Sequence, residues 1–319
     1  MRPKGPNVTL YIVGLGPGGR EHRTFAAEEA LRTADVIVGY GPYIDQCADL
    51  LEGQEVIRGT MGDELARAHQ AVDRARTQRV ALVSSGDAGV HGMAARTLAL
   101  AAGIEVTVIP GVTAALAAAA RLGAPLSDDW ATLSLSDLHL PWEVIERRLT
   151  ALASAGIALA LYNPRSKTRT EPFERALTIL RGHRAPDTPV VVATDIARES
   201  ESLAHATLAT LDPSTVTMRS LVLVAGETAR WAGEWLVADR EAATPPALAP
   251  AGDSPPAPGG GSSAPLAEDA SPAPGGGLSA SLAGDSPPAP GGGSSASLAE
   301  DASPAPGGEL STSRGEARA

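Results

Sequence analysis

The sequence predicts an α/β protein of two domains, each a roughly five-stranded sheet with flanking helices, followed by a disordered C-terminal tail. Three observations predict it. Short apolar runs alternate with amphipathic stretches through residues 8–224, the pattern of strand and helix layers. The alternation restarts after Gly123-Ala124-Pro125, which divides residues 1–124 from 125–241. Composition then changes at residue 242: 14 of the 26 prolines and 14 of the 34 glycines lie in 242–319, and no aromatic residue does.

The elements follow in order. Residues 8–13, Val-Thr-Leu-Tyr-Ile-Val, form an apolar run stopped by glycines and read as a buried strand. Thr24 to Arg32 is a helix with an acidic pair, Glu28 and Glu29, and Val36-Ile37-Val38 is a short strand. Leu65 to Arg76 has a strong helical pattern, and Val80 to Val83 is a continuous apolar strand. Met93 to Ala102 is helical, and Val106 to Ile109 is a strand that stops at Pro110-Gly111. Thr113 to Leu122 is an alanine-rich helix with Thr113 as its N-cap. In the second half, strands fall at 131–135, 157–162, 189–193 and 220–224, with helices at 143–153 and 171–181. Such alternation implies largely parallel sheets, and two sheets of about five strands fit it better than one of ten.

The tail repeats every 16 residues, over 252–267, 268–283, 284–299 and 300–315, around a core such as Pro256-Ala257-Pro258-Gly259-Gly260. Each copy has too little apolar surface to offset the entropy of ordering it. It reads as a linker mixing stiff proline and flexible Gly/Ser segments, with a partner-docking arm as the alternative. The tail holds two arginines against eight acids, and the whole chain carries a net charge of −11. A general nucleic-acid surface is therefore excluded. No apolar run reaches the roughly 18 residues of a membrane span. The first residues lead straight into a strand pattern without an apolar leader, so the expectation is a cytoplasmic protein. The single cysteine, Cys47, excludes an internal disulfide or a multi-cysteine zinc site and reads as a buried side chain.

Gly14-Leu15-Gly16-Pro17-Gly18-Gly19 follows the first strand and satisfies the G-x-G-x-x-G dinucleotide fingerprint. Its context argues against a nicotinamide cofactor. The second strand ends at Gly39-Tyr40 without an acid to hold a ribose, Arg20-Glu21-His22-Arg23 delays the helix, and Pro17 removes a donor N–H. An NAD(P)-dependent oxidoreductase and a plain tight turn are the alternatives. Three further strand ends carry loops of the same placement: Ser84 to Val90, Pro110 to Ala114, and Tyr162-Asn163-Pro164. Loops beyond the carboxyl ends of strands are where open α/β sheets bind ligands, so four together imply a cleft.

Taken together, Val13-Gly14-Leu15-Gly16-Pro17-Gly18, Ser85-Gly86-Asp87 and Pro110-Gly111-Val112-Thr113-Ala114 resemble the tetrapyrrole methyltransferases. These are two-domain enzymes that bind S-adenosylmethionine between their sheets. Three longer stretches resemble the branch of cobalamin synthesis that methylates a precorrin at C17 with contraction of the macrocycle. They are Gly39-Tyr40-Gly41-Pro42-Tyr43, Ser134 to Leu138 with Pro141 to Arg148, and Leu161 to Lys167. The resemblance covers about residues 8–228. It departs from the family at Ala88, where proline is usual, and at Gly59 to Asp63. A third departure is Asp195-Ile196-Ala197-Arg198, where Asn-Ala-Gly-Arg is commoner.

The resemblance implies a cofactor site lined by Pro17, Ser85, Gly86, Asp87, Val90, Thr113, Ala114, Tyr162 and Asn163. Asp87 can accept from ribose hydroxyls or an ammonium group, with a simple turn role as the alternative. The implied substrate is an anionic tetrapyrrole, for whose carboxylates Arg20, Arg23, Arg165, Lys167 and Arg169 are candidate donors. Ser136 and Asp137 are further candidate contacts. His22 and His91 are candidates for assisting proton transfer, a passive role being the alternative, and no residue stands out as a catalytic base. The methyl group comes from the cofactor, so the transfer needs no metal. A homodimer follows from the family alone. Another ring carbon, a cobalt-bearing substrate, or a scaffold that recruits a partner through its tail are the competing functions.

Overall fold

The first half of the chain builds a wholly parallel sheet. In the computed structural model, which describes residues 8–138 and 140–240, its strands are Leu10–Gly14 (β1), Val36–Tyr40 (β2), Glu55–Gly59 (β3), Val80–Ser84 (β4) and Val106–Ile109 (β5). Their order is β3-β2-β4-β1-β5. Helices Phe25–Thr33 (α1), Gly41–Gln46 (α2), Glu64–Arg74 (α3) and Ala94–Leu100 (α4) lie between the strands in sequence. The repeats predicted in 242–319 lie outside the described residues.

Burial on both faces explains the uninterrupted apolar runs of β1 and β4. Leu10, Ile12, Val80 and Leu82 pack with Ala68, Val72 and Met93 on one face. Val13, Ala81 and Val83 pack with Leu31, Ile44 and Cys47 on the other. Each large apolar side chain so buried contributes roughly 1.5–3 kcal/mol. The Thr24 hydroxyl accepts Ala27 N–H at 3.1 Å and starts α1. In this first layer, β3 and α2 escape the sequence pattern. Strand β3 is a partly exposed edge, and α2 opens on Gly41-Pro42, residues that read as a turn although proline is tolerated in a first helical turn.

Ala114–Leu122 (α5) leads through Gly123–Ala124 (β6) into the second sheet. Its strands are Trp130–Ser134 (β7), Ala158–Tyr162 (β8), Pro189–Thr194 (β9), Ser202–Thr207 (β10) and Ser220–Val224 (β11), ordered β10-β9-β11-β8-β7. Helix Trp142–Ser154 (α6) connects β7 to β8, and Glu171–His183 (α7) connects β8 to β9. Only β7 and β8 run parallel; the other pairs are antiparallel. This corrects the expectation of largely parallel sheets. A parallel neighbour needs a long crossover, and β9, β10 and β11 are joined by connections that hold no α-helix. A hairpin of Ala229–Ala232 (β12) and Trp235–Ala238 (β13) then pairs back onto β6.

One face of the second sheet packs on α6 and α7 through Ile145, Leu149, Leu161, Phe173, Leu177 and Val222. The opposite face packs on α5, through Ala115, Ala118 and Leu122 against Ala160, Val191, Leu221 and Leu223. Helix α5 therefore begins at the end of a first-sheet strand and is buried beneath the second sheet. Its alanines let the backbone approach that sheet closely. Among the described residues, no helix is long and apolar enough to cross a membrane.

Candidate functional site

Strand order sets the carboxyl ends of β4, β1 and β5 side by side, and each continues into glycine-bearing backbone. A side chain at Gly14 would stand 2.7 Å from Gly111 N and 2.8 Å from Gly86 O. A side chain at Gly111 would overlap Gly86 O outright. The three loops touch backbone to backbone, which leaves no room for a Cβ. Gly16 and Gly86 also exchange N–H···O bonds, at 3.1 and 2.7 Å.

The glycine loop directs its donors into the protein itself. Leu15 N–H donates to Ser84 O at 2.9 Å, Gly16 N–H to Gly86 O, and Gly19 N–H to Ala197 O at 2.7 Å, while Pro17 has no N–H. A pyrophosphate needs several free N–H groups at such a loop, so the dinucleotide reading lacks its cradle. The carbonyls are held as well. Gln46 Nε2 donates to Gly18 O at 2.8 Å, Gly16 O at 3.0 Å and Leu15 O at 3.4 Å. From the second sheet, Arg198 Nε donates to Pro17 O at 3.0 Å, with its other nitrogen 3.5 Å from Ser85 Oγ. Pro17 is buried between these holds.

Asp87 is a turn residue and more. Its Oδ1 accepts Gly89 N–H at 2.7 Å within its own turn, and its Oδ2 accepts Gly111 N–H at 3.0 Å from the neighbouring strand end. The carboxylate is thereby fixed over the glycine junction. Val90 N–H closes the turn onto Asp87 O, and His91 follows with a left-handed φ of 52°. The His91 ring centroid lies 5.0 Å from that of Tyr162, and desolvation holds its pKa below the usual imidazole value, so it is neutral at pH 7.

Tyr162, at the end of β8, reaches across to α5. Its hydroxyl lies 2.5 Å from Thr113 Oγ1 and accepts Ala115 N–H at 3.0 Å. Thr113 occupies the N-cap position, but its own hydroxyl caps no helix N–H, which corrects the sequence expectation. The cap is supplied from the other sheet. Burial pushes the Tyr162 phenol up, against a downward pull from the Thr113 bond. Asn163 has φ 49° and donates through Nδ2 to Ser134 Oγ at 3.0 Å.

Of the candidate substrate residues, the second-sheet members cluster. Ser136 N–H donates to Ser134 Oγ at 3.3 Å. Arg169 donates to Leu135 O at 2.9 Å and Asn163 O at 2.7 Å and stands 3.8 Å from Asp137. It ties the ends of β7 and β8 together. Arg165 donates to Pro213 O at 2.6 Å, and Lys167 is exposed in the same loop. Arg20 lies apart, paired with Glu28 at 3.2 Å over a depression of about 320 Å³ that it shares with Arg32, Asp49 and Gln54. Arg23 is occupied by a two-bond pair with Asp49, both at 3.0 Å.

Gln46, Gly111 and Arg198 hold the site together, though none of them is among the site residues expected from the sequence; Gly111 and Arg198 fall only in stretches marked there. Gly111 carried a signal, since it follows a strand just as Gly86 does. Gln46 and Arg198 reach the glycine loop from up to 31 and 181 residues away; Arg198 keeps the last residue of the Asn-Ala-Gly-Arg stretch noted above, whereas nothing local marks Gln46.

The profile of the Tetrapyrrole (Corrin/Porphyrin) Methylases matches residues 9–212. A Salmonella typhimurium protein named probable cobalt-factor III C(17)-methyltransferase is 40% identical over 224 residues, which cover 69% of this chain and 93% of that one. A Sinorhizobium protein named precorrin-3B C(17)-methyltransferase is 39% identical over 230 residues, covering 70% of this chain and 90% of that one. Among solved structures, the methyltransferase CobJ superposes with a TM-score of 0.69 at 37% identity, covering 72% of this chain and 99% of that one. A Thermus thermophilus uroporphyrin-III C-methyltransferase, solved with S-adenosylhomocysteine, shares the fold at a TM-score of 0.50 and 21% identity, covering 68% of this chain and 92% of that one.

Proposed function

The chain belongs to the tetrapyrrole (corrin/porphyrin) methylases, and from that membership we propose that it methylates C17 of a precorrin in cobalamin synthesis, with S-adenosylmethionine as methyl donor and contraction of the ring. The observation that carries the reading is the meeting of Thr113 and Tyr162 at 2.5 Å. It brings strand ends of both sheets to one point beside Gly86 and Asp87, where a ligand held by two sheets would lie.

The residues suit that donor. Ser85, Thr113 and Tyr162 offer hydroxyls, Asp87 a carboxylate and Asn163 an amide, among the apolar surfaces of Pro17, Val90 and Ala114. No cation belongs to the set itself, and Arg198, which touches it, is turned onto Pro17 O and Ser85 Oγ. The set fits a ligand with ribose hydroxyls, an ammonium and a positively charged sulfur, and it is ill suited to a pyrophosphate. S-adenosylmethionine supplies an electrophilic methyl group when bound. The chain's own contribution is to orient and to exclude water, since in-line attack by a ring carbon is accelerated largely by positioning. Asp87, already fixed by two N–H groups, accepts from a hydroxyl or the ammonium with its remaining lone pairs.

We assign the polyanionic macrocycle to the second-sheet side, at Ser136, Asp137, Arg165, Lys167 and Arg169. Lys167 is the exposed cation there, and the two arginines shape the loop while presenting their remaining N–H groups. Arg20 faces a different depression, and we leave it outside the set. Precorrin-3B is the first choice of substrate. The cobalt-bearing cobalt-factor III is the second reading, favoured by the name of the Salmonella relative. The family resemblance extends the proposal to a cytoplasmic homodimer, which sedimentation checks. The domain boundary at 124/125 is likewise our proposal, supported by the passage of the chain through α5 and β6 from one sheet to the other.

Calorimetry on the full chain with S-adenosylhomocysteine and with NADP tests the cofactor. A Kd near micromolar for the first, about −8 kcal/mol, with no heat from the second is expected. NADP binding alone would overturn the reading. Incubation with labelled donor and either macrocycle then decides the substrate, and label at a carbon other than C17 would refute the position.

A further inference from the structure

We propose that Gln46 is a positioning residue for the methyl donor, fixing the glycine loop so that Pro17 forms a rigid wall of the cofactor site. The proposal rests on the methyltransferase reading above.

The amide cannot be reversed. With Nε2 toward the loop, its two N–H groups serve Gly18 O and Gly16 O at 2.8 and 3.0 Å, and Leu15 O shares at 3.4 Å. Turned over, Oε1 would face three carbonyl oxygens. The amide is also anchored, because Ile44 and Cys47 on either side of Gln46 are fully buried in the core of the first sheet. The loop depends on such an outside donor. Gly16 has φ 79°, Pro17 has no N–H, and the remaining N–H groups of Leu15, Gly16 and Gly19 are bonded elsewhere. Gly16 O also takes Gly86 N–H and Gly19 O takes His22 N–H, but for Leu15 O and Gly18 O the Gln46 amide is the donor, and buried carbonyls without donors are costly.

Opposite Gln46, Arg198 Nε holds Pro17 O, and Ala197 O takes Gly19 N–H. Pro17 is thus held through its own carbonyl by Arg198 and through the carbonyls of Gly16 and Gly18 on either side of it by Gln46. Arg198 lies in the connection between β9 and β10 of the second sheet, whereas Gln46 ends α2, which packs on the first sheet. Gln46 therefore sets where Pro17 stands relative to Gly86 and Asp87, and Arg198 sets how the second sheet meets it.

Gln46→Glu tests this through a pH profile. Protonated, the introduced carboxyl still donates one O–H to a loop carbonyl; ionised, it repels all of them. Burial and the carbonyls raise its pKa, so the proton is lost as pH rises toward neutral. The charged groups around it are Glu21 and Asp45 on its own side, with Arg198, Glu199 and Arg219 and the Arg121–Glu201 pair across a groove of about 830 Å³. Groups common to both proteins cancel when the readout is the ratio of variant to parent Kd for S-adenosylhomocysteine. That ratio is expected to rise at least tenfold between pH 5.5 and 8.5, roughly. Gln46→Met, with no donor and similar volume, should weaken binding about tenfold at every pH with an unchanged circular-dichroism spectrum.

Variants that bind within twofold of the parent throughout overturn the proposal. So does loss of fold in both, which would make the amide merely structural. Absence of binding by the parent sinks the methyltransferase reading, and this proposal with it.

Discussion

The Tyr162 hydroxyl lies 2.5 Å from that of Thr113 and accepts Ala115 N–H at 3.0 Å, so a side chain of the second sheet caps a helix that starts at the end of the first. An N-cap threonine ordinarily accepts from its own helix. Here that duty has passed to a phenol kept neutral by burial. The first turn of α5 is completed only when the two sheets are docked, and the residues that complete it are those proposed to face the methyl donor. On the proposed function, domain packing and cofactor geometry share one hydrogen-bond network.

Tyr162→Phe removes the hydroxyl and leaves the ring. The helix loses an N-terminal acceptor and Thr113 a partner, an expected destabilisation of about 1–2 kcal/mol. Urea denaturation of variant and parent measures it. S-adenosylhomocysteine binding should weaken at least fivefold in the same variant, about 1 kcal/mol. A loss below about 0.5 kcal/mol would mean that water replaces the phenol as cap.

Gly111→Ala drives a methyl group into Gly86 O and the Gly14 backbone, none of which is a flexible side-chain end. Overpacking of this kind costs about 1–3 kcal/mol and should abolish S-adenosylhomocysteine binding by displacing the Asp87 turn. Gly53→Ala is the control. Gly53 has φ 90° with open space around it, so its replacement carries only backbone strain, about 1–2 kcal/mol, and should leave binding intact. Equal binding by both variants would separate the glycine junction from the cofactor site.

Much of this was legible in the sequence, and for identifiable reasons. Strands β1, β4, β8 and β11 are buried on both faces and read as unbroken apolar runs. Gly86, Asp87, Thr113 and Tyr162, which the structure brings to one junction, stand at or just beyond the ends of strands, where the chain must turn, and their roles came from the family resemblance. Strands β3 and β10 were not legible, since they are sheet edges carrying exposed Glu55 and His205. Direction was also hidden. A strand buried on both faces has the same composition whichever way it runs, so β9 and β11 gave no sign of their antiparallel pairing. Gln46 and Arg198 act through single long-range hydrogen-bonding groups, which leave no periodic trace.

Ala197→Gly is expected to stabilise the protein. Ala197 has φ 62°, a left-handed conformation that costs a non-glycine residue roughly 1–2 kcal/mol, partly offset by the greater unfolded-state freedom of glycine, about 0.5–1 kcal/mol. A net gain of up to about 1 kcal/mol should follow. Ala151→Gly, on the exposed face of α6, should lose about 0.5–1 kcal/mol instead. Opposite signs from the same chemical change isolate the backbone as the cause. Destabilisation by both would show that the Asp195 to Arg198 turn relaxes its strain in solution.

Cys47 gives the chain a specific sensitivity to alkali. Its thiol is fully buried, and that burial pushes its pKa from 9.0 up to about 11. The folded state therefore favours the neutral thiol more strongly than the unfolded chain does. Stability from this source is complete below pH 9.0 and is lost as pH rises through about 11. Two pKa units correspond to about 2–3 kcal/mol. Cys47→Ala leaves a small cavity and so starts lower, by a pH-independent offset near 1 kcal/mol, but it lacks the titration. Urea denaturation from pH 7 to 11, roughly, should show the two stability curves converging or crossing above pH 9, because tyrosine and lysine titrations are common to both. Parallel curves over that range would mean that the thiol is hydrated in the folded protein.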